Sequence, residues 1–310
     1  DTTFGTAGTY KGTGHRGTCP VYYPKTMKIH NGYLYFNSYY GGKISRLNLS
    51  TNVCDWNKTT GSYPSAFDIK NNILYSIDRN NLIVRNISTN TDITCSYSGT
   101  LKSIAQSAYA MAVDHTGNNM YIKYSSYTYR YVIDPTTKCP STSWATKITD
   151  GAGSRSYGIE AHPTNDKILY ISNGSNHRIE KVTLNAATYA VDTRVTKGRC
   201  CTGTSTASNV RIYYPRGMSI DTTNNRISLA EYYGEKIKFF DLDLNFIKEA
   251  SGTASTRMTG AHEAIKAIVT DSSLTSSVDF GFGYWAWGGS PGFKSWSGDI
   301  TTGTANPCNS

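Results

Sequence analysis

The sequence has no long apolar run, few charged residues and no paired cysteine motif. No stretch of about 18 consecutive apolar residues occurs, so we expect no membrane-spanning helix. Charged residues make up only 17% of the 310 residues, which disfavours a protein built from long surface helices. None of the seven cysteines has the C-x-x-C spacing of zinc or thiol-redox sites. These absences argue against membrane-spanning, predominantly helical and zinc-binding proteins.

Sequence motifs that carry catalysis are missing as well. The chain contains no G-x-S-x-G, no H-E-x-x-H and no phosphate-binding glycine loop. His30 and His162 lie at similar places, but His15, His115, His177 and His262 do not follow them. We therefore expect a protein that is not an enzyme and that needs no cofactor, while metal binding stays unknown.

The positive charge of the chain is scattered rather than clustered. The formal net charge is +9, yet no run of five or six Lys or Arg residues occurs. A basic surface attracts acidic surfaces, glycans and nucleic acids at long range. Without a basic run, we do not expect nucleic acid to be the partner.

Tyrosine, glycine, serine, threonine and asparagine dominate the composition. The 24 tyrosines and 28 glycines suit short strands and polar turns. In such a chain we interpret most of the seven cysteines as disulfides, with at least one thiol free or bonded outside the chain. The prediction is a secreted or cell-surface protein. The N-terminal sequence does not resemble a signal peptide, which is consistent with a mature protein or with a piece of a longer one.

An internal repeat organises residues 23 to 250. Each copy opens with a tyrosine corner that leads into a short apolar strand. The apolar anchors of these strands are spaced by 40, 44, 48 and 59 residues: Met27, Phe67, Met111, Ile159 and Met218. Such a period indicates a repeat architecture.

The rest of each copy predicts three more strands. Turns rich in Asn, Gly and Asp, such as Asn31-Gly32 and Asn224-Asn225, tolerate the positive φ of a tight hairpin. A second apolar strand, a third strand with alternating polar and apolar positions and a looser fourth segment follow. Four antiparallel strands per unit predict the blade of a β-propeller.

The first strand of the fifth copy carries a family resemblance. Pro215-Arg216-Gly217-Met218-Ser219-Ile220-Asp221 resembles the opening strand of NHL-repeat propellers. The resemblance implies an all-β propeller of five four-stranded blades over residues 23–250, preceded by an N-terminal extension, residues 1–22. A β-sandwich is the alternative fold.

The last sixty residues, 251–310, have a different pattern. Residues 255–269 show helical spacing of apolar side chains, and an apolar strand, residues 278–285, follows. This helix and strand are similar to the start of a von Willebrand factor A domain, which implies a short α/β appendage of a larger surface protein. On the competing interpretation this region forms a sixth blade.

Aromatic side chains in the turns are the strongest signal for binding. Tyrosines give rigid contact area with a hydroxyl group, which suits protein and carbohydrate surfaces. The candidate ligand-binding residues lie after the second strand of four copies: Tyr39, Tyr40, Tyr124, Tyr127, His177, Arg178, Tyr232 and Tyr233.

We therefore predict a recognition or adhesion module that binds a cell-surface glycan or protein and associates with other domains of a larger surface protein. One alternative is a propeller hydrolase or lyase with its site at the central axis, marked by polar groups that several blades contribute. The other is a structural component of a surface fibre or pilus tip.

Overall fold

A computed structural model of the chain describes residue 19 and residues 21–61, 63–149, 157–200 and 205–251. Within these residues, twenty strands form five antiparallel sheets of four strands each. The predicted five-bladed β-propeller is confirmed. The predicted C-terminal appendage and the sixth-blade alternative rest on residues 252–310, which lie outside the described part of the chain, as do residues 1–18.

Each blade takes its four strands in sequence order. Blade 1 contains β1 (Met27–His30), β2 (Tyr33–Ser38), β3 (Lys43–Asn48) and β4 (Cys54–Thr59). Blade 2 contains β5 (Ala66–Lys70), β6 (Ile73–Ile77), β7 (Leu82–Asn86) and β8 (Thr91–Ile93). A short helix, α1 (Gly99–Ala105), connects blade 2 to blade 3.

The remaining blades repeat this order. Blade 3 contains β9 (Ala110–Val113), β10 (Asn119–Tyr124), β11 (Tyr127–Val132) and β12 (Thr146–Thr149). Blade 4 contains β13 (Gly158–Ala161), β14 (Ile168–Asn173), β15 (Arg178–Leu184) and β16 (Val191–Lys197). Blade 5 contains β17 (Pro215–Asp221), β18 (Arg226–Glu231), β19 (Lys236–Asp241) and β20 (Phe246–Ser251).

The predicted turn residues occupy the hairpins between first and second strands. Asn31, Asn71, Asn72 and Asn225 all have positive φ between 49° and 59°. Asparagine tolerates this left-handed conformation better than other residues with a Cβ. The hairpin register follows from these turns and pairs Met27 with Phe36 in blade 1.

Apolar side chains fill the spaces between successive blades. One buried cluster joins blades 1, 2 and 3, a second joins blades 3 and 4, and a third joins blades 4 and 5. The predicted anchors Phe67, Met111, Ile159 and Met218 are all at most 4% exposed. Because a single sheet cannot cover its own two faces, the blades depend on one another for stability.

Polar contacts join neighbouring blades at the start of two first strands. Asn37 accepts hydrogen bonds from the amides of Lys25 and Thr26 in its own blade, at 2.8 Å each, and donates to the Pro64 carbonyl of blade 2 at 2.7 Å. Ser172 of blade 4 likewise donates to the Arg216 carbonyl of blade 5 at 2.7 Å. Side chains from the second strands of blades 1 and 4 therefore fix the start of the next blade.

Two disulfides lie in the described residues, as expected from the composition. Cys19–Cys54 ties the segment before blade 1 to β4, and Cys95–Cys139 joins the end of blade 2 to the β11–β12 connection of blade 3. Cys200 is also disulfide-bonded. Such bonds are compatible with an extracellular protein. The described residues contain no helix that is long and apolar enough to cross a membrane.

Candidate functional site

One face of the propeller carries all of the predicted binding residues. The turns between second and third strands and the connections between blades reach the same face, as two backbone bonds show: the Tyr39 amide donates to the Tyr23 carbonyl and the Tyr232 amide to the Tyr214 carbonyl. We call this side the tyrosine face. Tyr39, Tyr40, Tyr124, Tyr127, His177, Arg178, Tyr232 and Tyr233 lie in or beside its turns.

A tyrosine stands immediately before or close to the first strand of every blade on this face. The five corner tyrosines are Tyr23, Tyr63, Tyr109, Tyr157 and Tyr214. Tyr23 and Tyr214 have φ values of 62° and 58°. A bulky residue adopts this conformation only when the surrounding structure imposes it, and such strain of about 1–3 kcal/mol is concentrated at functional sites.

Five tyrosines form the first aromatic cluster, between blades 1 and 2. Cluster A consists of Tyr22, Tyr23, Tyr39, Tyr40 and Tyr63, with neighbouring ring centroids between 5.0 and 6.1 Å apart. Tyr40 is 51% exposed and Tyr22 is 46% exposed. The cluster therefore offers solvent a surface of ring edges and hydroxyl groups.

Two cations lie against cluster A. The Lys25 ammonium is 3.5 Å from the centre of the Tyr39 ring, and the Arg79 guanidinium is 5.0 Å from that of Tyr63. Both distances are within the range of cation–π attraction. Burial, with the nearby charge of Arg79, lowers the pKa of Lys25 to about 8.

A second aromatic cluster lies between blades 4 and 5. Cluster B consists of His177, Tyr213, Tyr214, Tyr232 and Tyr233. His177 accepts a hydrogen bond from the Tyr214 amide through Nδ1 at 3.1 Å, and burial lowers its pKa. The Arg216 guanidinium lies 3.9 Å from the Tyr232 ring and 4.5 Å from the Tyr157 ring. Arg216 thus links cluster B to the corner tyrosine of blade 4.

The remaining predicted residues do not join either cluster. Tyr124 and Tyr127 pack around Tyr129 in blade 3, with centroid distances of 6.4 and 6.1 Å. Arg178 donates through Nε to Glu180 at 2.8 Å, and that fully buried carboxylate also binds Arg194 at 2.7 Å. Arg178 therefore stabilises blade 4 through a buried acid, although it lies at the edge of the tyrosine face.

Charged side chains meet at the central axis. Lys28 of β1 contacts both carboxylate oxygens of Glu160 in β13 at 2.8 Å, and Asp68 of β5 at 3.3 Å. The three side chains are only 10–12% exposed. Lys28 and Glu160 line a pocket between the first strands of blades 1, 3, 4 and 5, together with Tyr109 and Tyr157.

The equivalent axial positions of the other blades are less polar. Ala112 occupies this position in β9, and Ser219 occupies it in β17. The Ser219 hydroxyl is buried without a hydrogen-bond partner among the described residues. No group of three or more His, Cys, Asp or Glu side chains within the described residues could hold a metal ion.

Sequence reasoning missed two features of this site. The corner tyrosines were used as markers of the repeat and not as contact residues, although their recurrence at one position per blade was visible in the sequence. The axial charges were overlooked because only histidines were considered there. Aligning the residue after each anchor gives Lys28, Asp68, Ala112, Glu160 and Ser219, which was the available signal.

Comparison with known proteins shows a similarity in fold. No protein-family model matches the sequence, and no curated protein matches it. A crystal structure of a functionally unknown protein from Desulfotomaculum acetoxidans is similar, with a TM-score of 0.53 and 14% identity over 74% of this chain and 70% of that chain. Kuenenia stuttgartiensis hydrazine synthase is similar with a TM-score of 0.50 and 12% identity over 83% of this chain and 86% of that chain. At such low identity these similarities show the propeller fold alone.

Proposed function

We propose that the chain is an extracellular recognition module whose tyrosine face binds a cell-surface glycan or protein. One observation carries the proposal: every blade places a tyrosine at the same corner, and three of these corner tyrosines belong to two clusters of five aromatic side chains that have cations against them. Exposed rings with hydroxyl groups provide apolar contact and hydrogen bonds together, which is how aromatic residues dominate recognition surfaces.

The rigidity of the clusters supports the same function. The backbone around Lys25 is fixed by Asn37, and the Tyr214 backbone is fixed by His177. Contact residues that are already ordered lose little conformational entropy on binding. Tyrosine adds contact area at a low entropic cost because it has only two side-chain torsions.

A glycan array and binding to intact cells would test the proposal. Tyr40→Ala and Tyr233→Ala each remove an exposed ring, 51% and 45% exposed respectively, and Tyr39→Ala removes the ring beside Lys25. We expect each variant to weaken binding about tenfold, which corresponds to ~1.4 kcal/mol. Trp144→Ala is the matched control because Trp144 is 41% exposed and lies in the β11–β12 connection on the opposite face. Equal binding by all four variants and the wild type would refute the role of the tyrosine face.

An axial enzyme site is the second candidate, and the Lys28, Asp68 and Glu160 cluster favours it. Lys28 and Glu160 line a pocket, and Asp68 of a third blade contacts Lys28; an acid and an amine at one pocket are the kind of groups that acid–base catalysis in a propeller needs. Screening hydrolase and lyase substrates with the wild type and Glu160→Gln would test it. Turnover that Glu160→Gln abolishes would favour the enzyme, whereas no turnover with any substrate would leave binding as the better account.

A further inference from the structure

Cluster A brings two cations to one pair of tyrosine rings. The Tyr39 and Tyr63 centroids are 5.1 Å apart, with Lys25 against the first ring and Arg79 against the second. The positive charge of Arg79 also acts on the Tyr39 hydroxyl, although burial outweighs it and raises the pKa of that hydroxyl. The two positive charges are therefore neighbours on the surface and belong to different blades.

This proximity has an electrostatic cost. Burial and the positive charge of Arg79 together lower the pKa of Lys25 to about 8, so the surroundings disfavour its charged form. Arg79 is exposed and forms no ion pair within the part of the chain that the structure describes. An anion bound between the two side chains would relieve the repulsion and gain charge-assisted hydrogen bonds from both.

The apolar part of the face favours a carbohydrate over a protein as the ligand. The exposed large apolar side chains of the tyrosine face are Tyr22, Tyr40, Tyr109 and Tyr233, together with Val21. The other exposed aliphatic side chains lie on third and fourth strands or in the turns between them: Val53, Val132, Val191, Val195 and Ile247. Tyrosine and arginine are common in protein interfaces too, but lysine is depleted there and the core of the interface is apolar. Among its described residues this face exposes one large aliphatic side chain, Val21, and places Lys25 against its rings.

We propose that cluster A binds an acidic polysaccharide, with its carboxylate or sulfate group between Lys25 and Arg79 and its sugar ring against the neighbouring tyrosines. Tyr40 offers the most exposed ring of the cluster for this contact, and the two cations lie against the rings of Tyr39 and Tyr63. This inference rests on the proposed function, because it assigns the ligand class of the same face.

The test compares polygalacturonate, dextran sulfate and neutral dextran at physiological salt on immobilised protein. The double variant Lys25→Met/Arg79→Gln removes the two cations of cluster A. The control Lys70→Met/Arg226→Gln removes the same charge from the opposite face, where Lys70 ends β5 and Arg226 begins β18. Matched thermal melts establish that each variant is folded.

We expect the wild type to bind at least one acidic polymer and the Lys25/Arg79 variant to bind it at least tenfold more weakly. The control should lose less than twofold, and dextran should bind weakly to all three proteins. Preference for polygalacturonate or for dextran sulfate identifies the anionic group.

Four results would overturn the inference. Equal losses in both double variants would mean nonspecific attraction to a basic protein. Dextran binding as tightly as the acidic polymers, with a loss in Tyr40→Ala, would leave the proposed function standing without the anion site. If no polysaccharide binds but a cell-surface protein does, the proposed ligand class is wrong and the tyrosine face keeps its role. If nothing binds, both the proposed function and this inference fail.

Discussion

Replacing Lys28 by methionine should strongly destabilise the propeller. Lys28 bridges Glu160 and Asp68, which come from blades 4 and 2, and all three side chains are nearly buried. Removing the ammonium leaves two carboxylates of the same charge close together with little water around them. Breaking a buried ion pair from one side costs about 3–5 kcal/mol, and we expect Lys28→Met to fall within that range: both acids lose the ammonium group, while the Ile69 and Val113 amides still donate to Asp68.

Two further variants distinguish the loss of the buried axial charges from the loss of an ordinary surface ion pair. Glu160→Gln leaves the Lys28–Asp68 contact at 3.3 Å and should cost less than Lys28→Met. Asp55→Asn breaks the exposed pair between Asp55 and Arg46 and should cost about 0.2–1 kcal/mol, the usual value for surface pairs.

Guanidinium unfolding monitored by tryptophan fluorescence measures all three variants under oxidising conditions. The order of destabilisation should be Lys28→Met, then Glu160→Gln, then Asp55→Asn. A loss of free energy of unfolding below 1 kcal/mol for Lys28→Met, equal to that of Asp55→Asn, would refute the idea that the axial charges hold the blades together.

Two further predictions concern the disulfide between blades and a buried acid. Cys95 and Cys139 are 44 residues apart, so replacing both by serine should lower the free energy of unfolding by about 4 kcal/mol on the chain-entropy estimate; an unchanged melting temperature would contradict this. Burial raises the pKa of Glu231 to about 7, above its value of 4.5 in the unfolded chain. The folded protein therefore holds a proton that the unfolded chain releases, and its stability should fall between about pH 5 and pH 7, by up to ~1.4 kcal/mol per pH unit. Glu231→Gln should remove this slope, and identical pH profiles of unfolding for the two proteins would show that Glu231 is not its source.

The repeat predicted the blades well because strand patterns depend on local sequence. Met27, Phe67, Met111, Ile159 and Met218 all lie on first strands, as their spacing indicated. Four of these anchors are buried in the clusters between blades, whereas Met27 is half-buried against its own blade and Cys19, so the apolar pattern indicates burial in both settings. Helix α1 was not predicted. Its seven residues are too few to show a helical period, and its Leu101 is buried by contacts with the adjoining blades.

The site was less predictable because it depends on contacts between blades. Tyr39 and Tyr63 are distant in sequence and meet only when blades 1 and 2 pack together. Arg178 is predicted to bind a ligand. Its guanidinium also forms an ion pair with Glu180, two residues further along the same strand. The propeller fold is confirmed, whereas the NHL and von Willebrand factor A resemblances, the adhesion function and the ligand-binding roles remain predictions.

The recurrence of one corner tyrosine per blade has a kinetic consequence for a polymeric ligand. Similar rings lie at successive angles around the central axis of the tyrosine face: Tyr23, Tyr63, Tyr109, Tyr157 and Tyr214. When a polymer with a short chemical repeat dissociates from one corner tyrosine, it is still close to the next one. It can therefore rebind before it diffuses away. The residence time of such a polymer therefore grows with its length, whereas a monosaccharide gains nothing from the remaining corners.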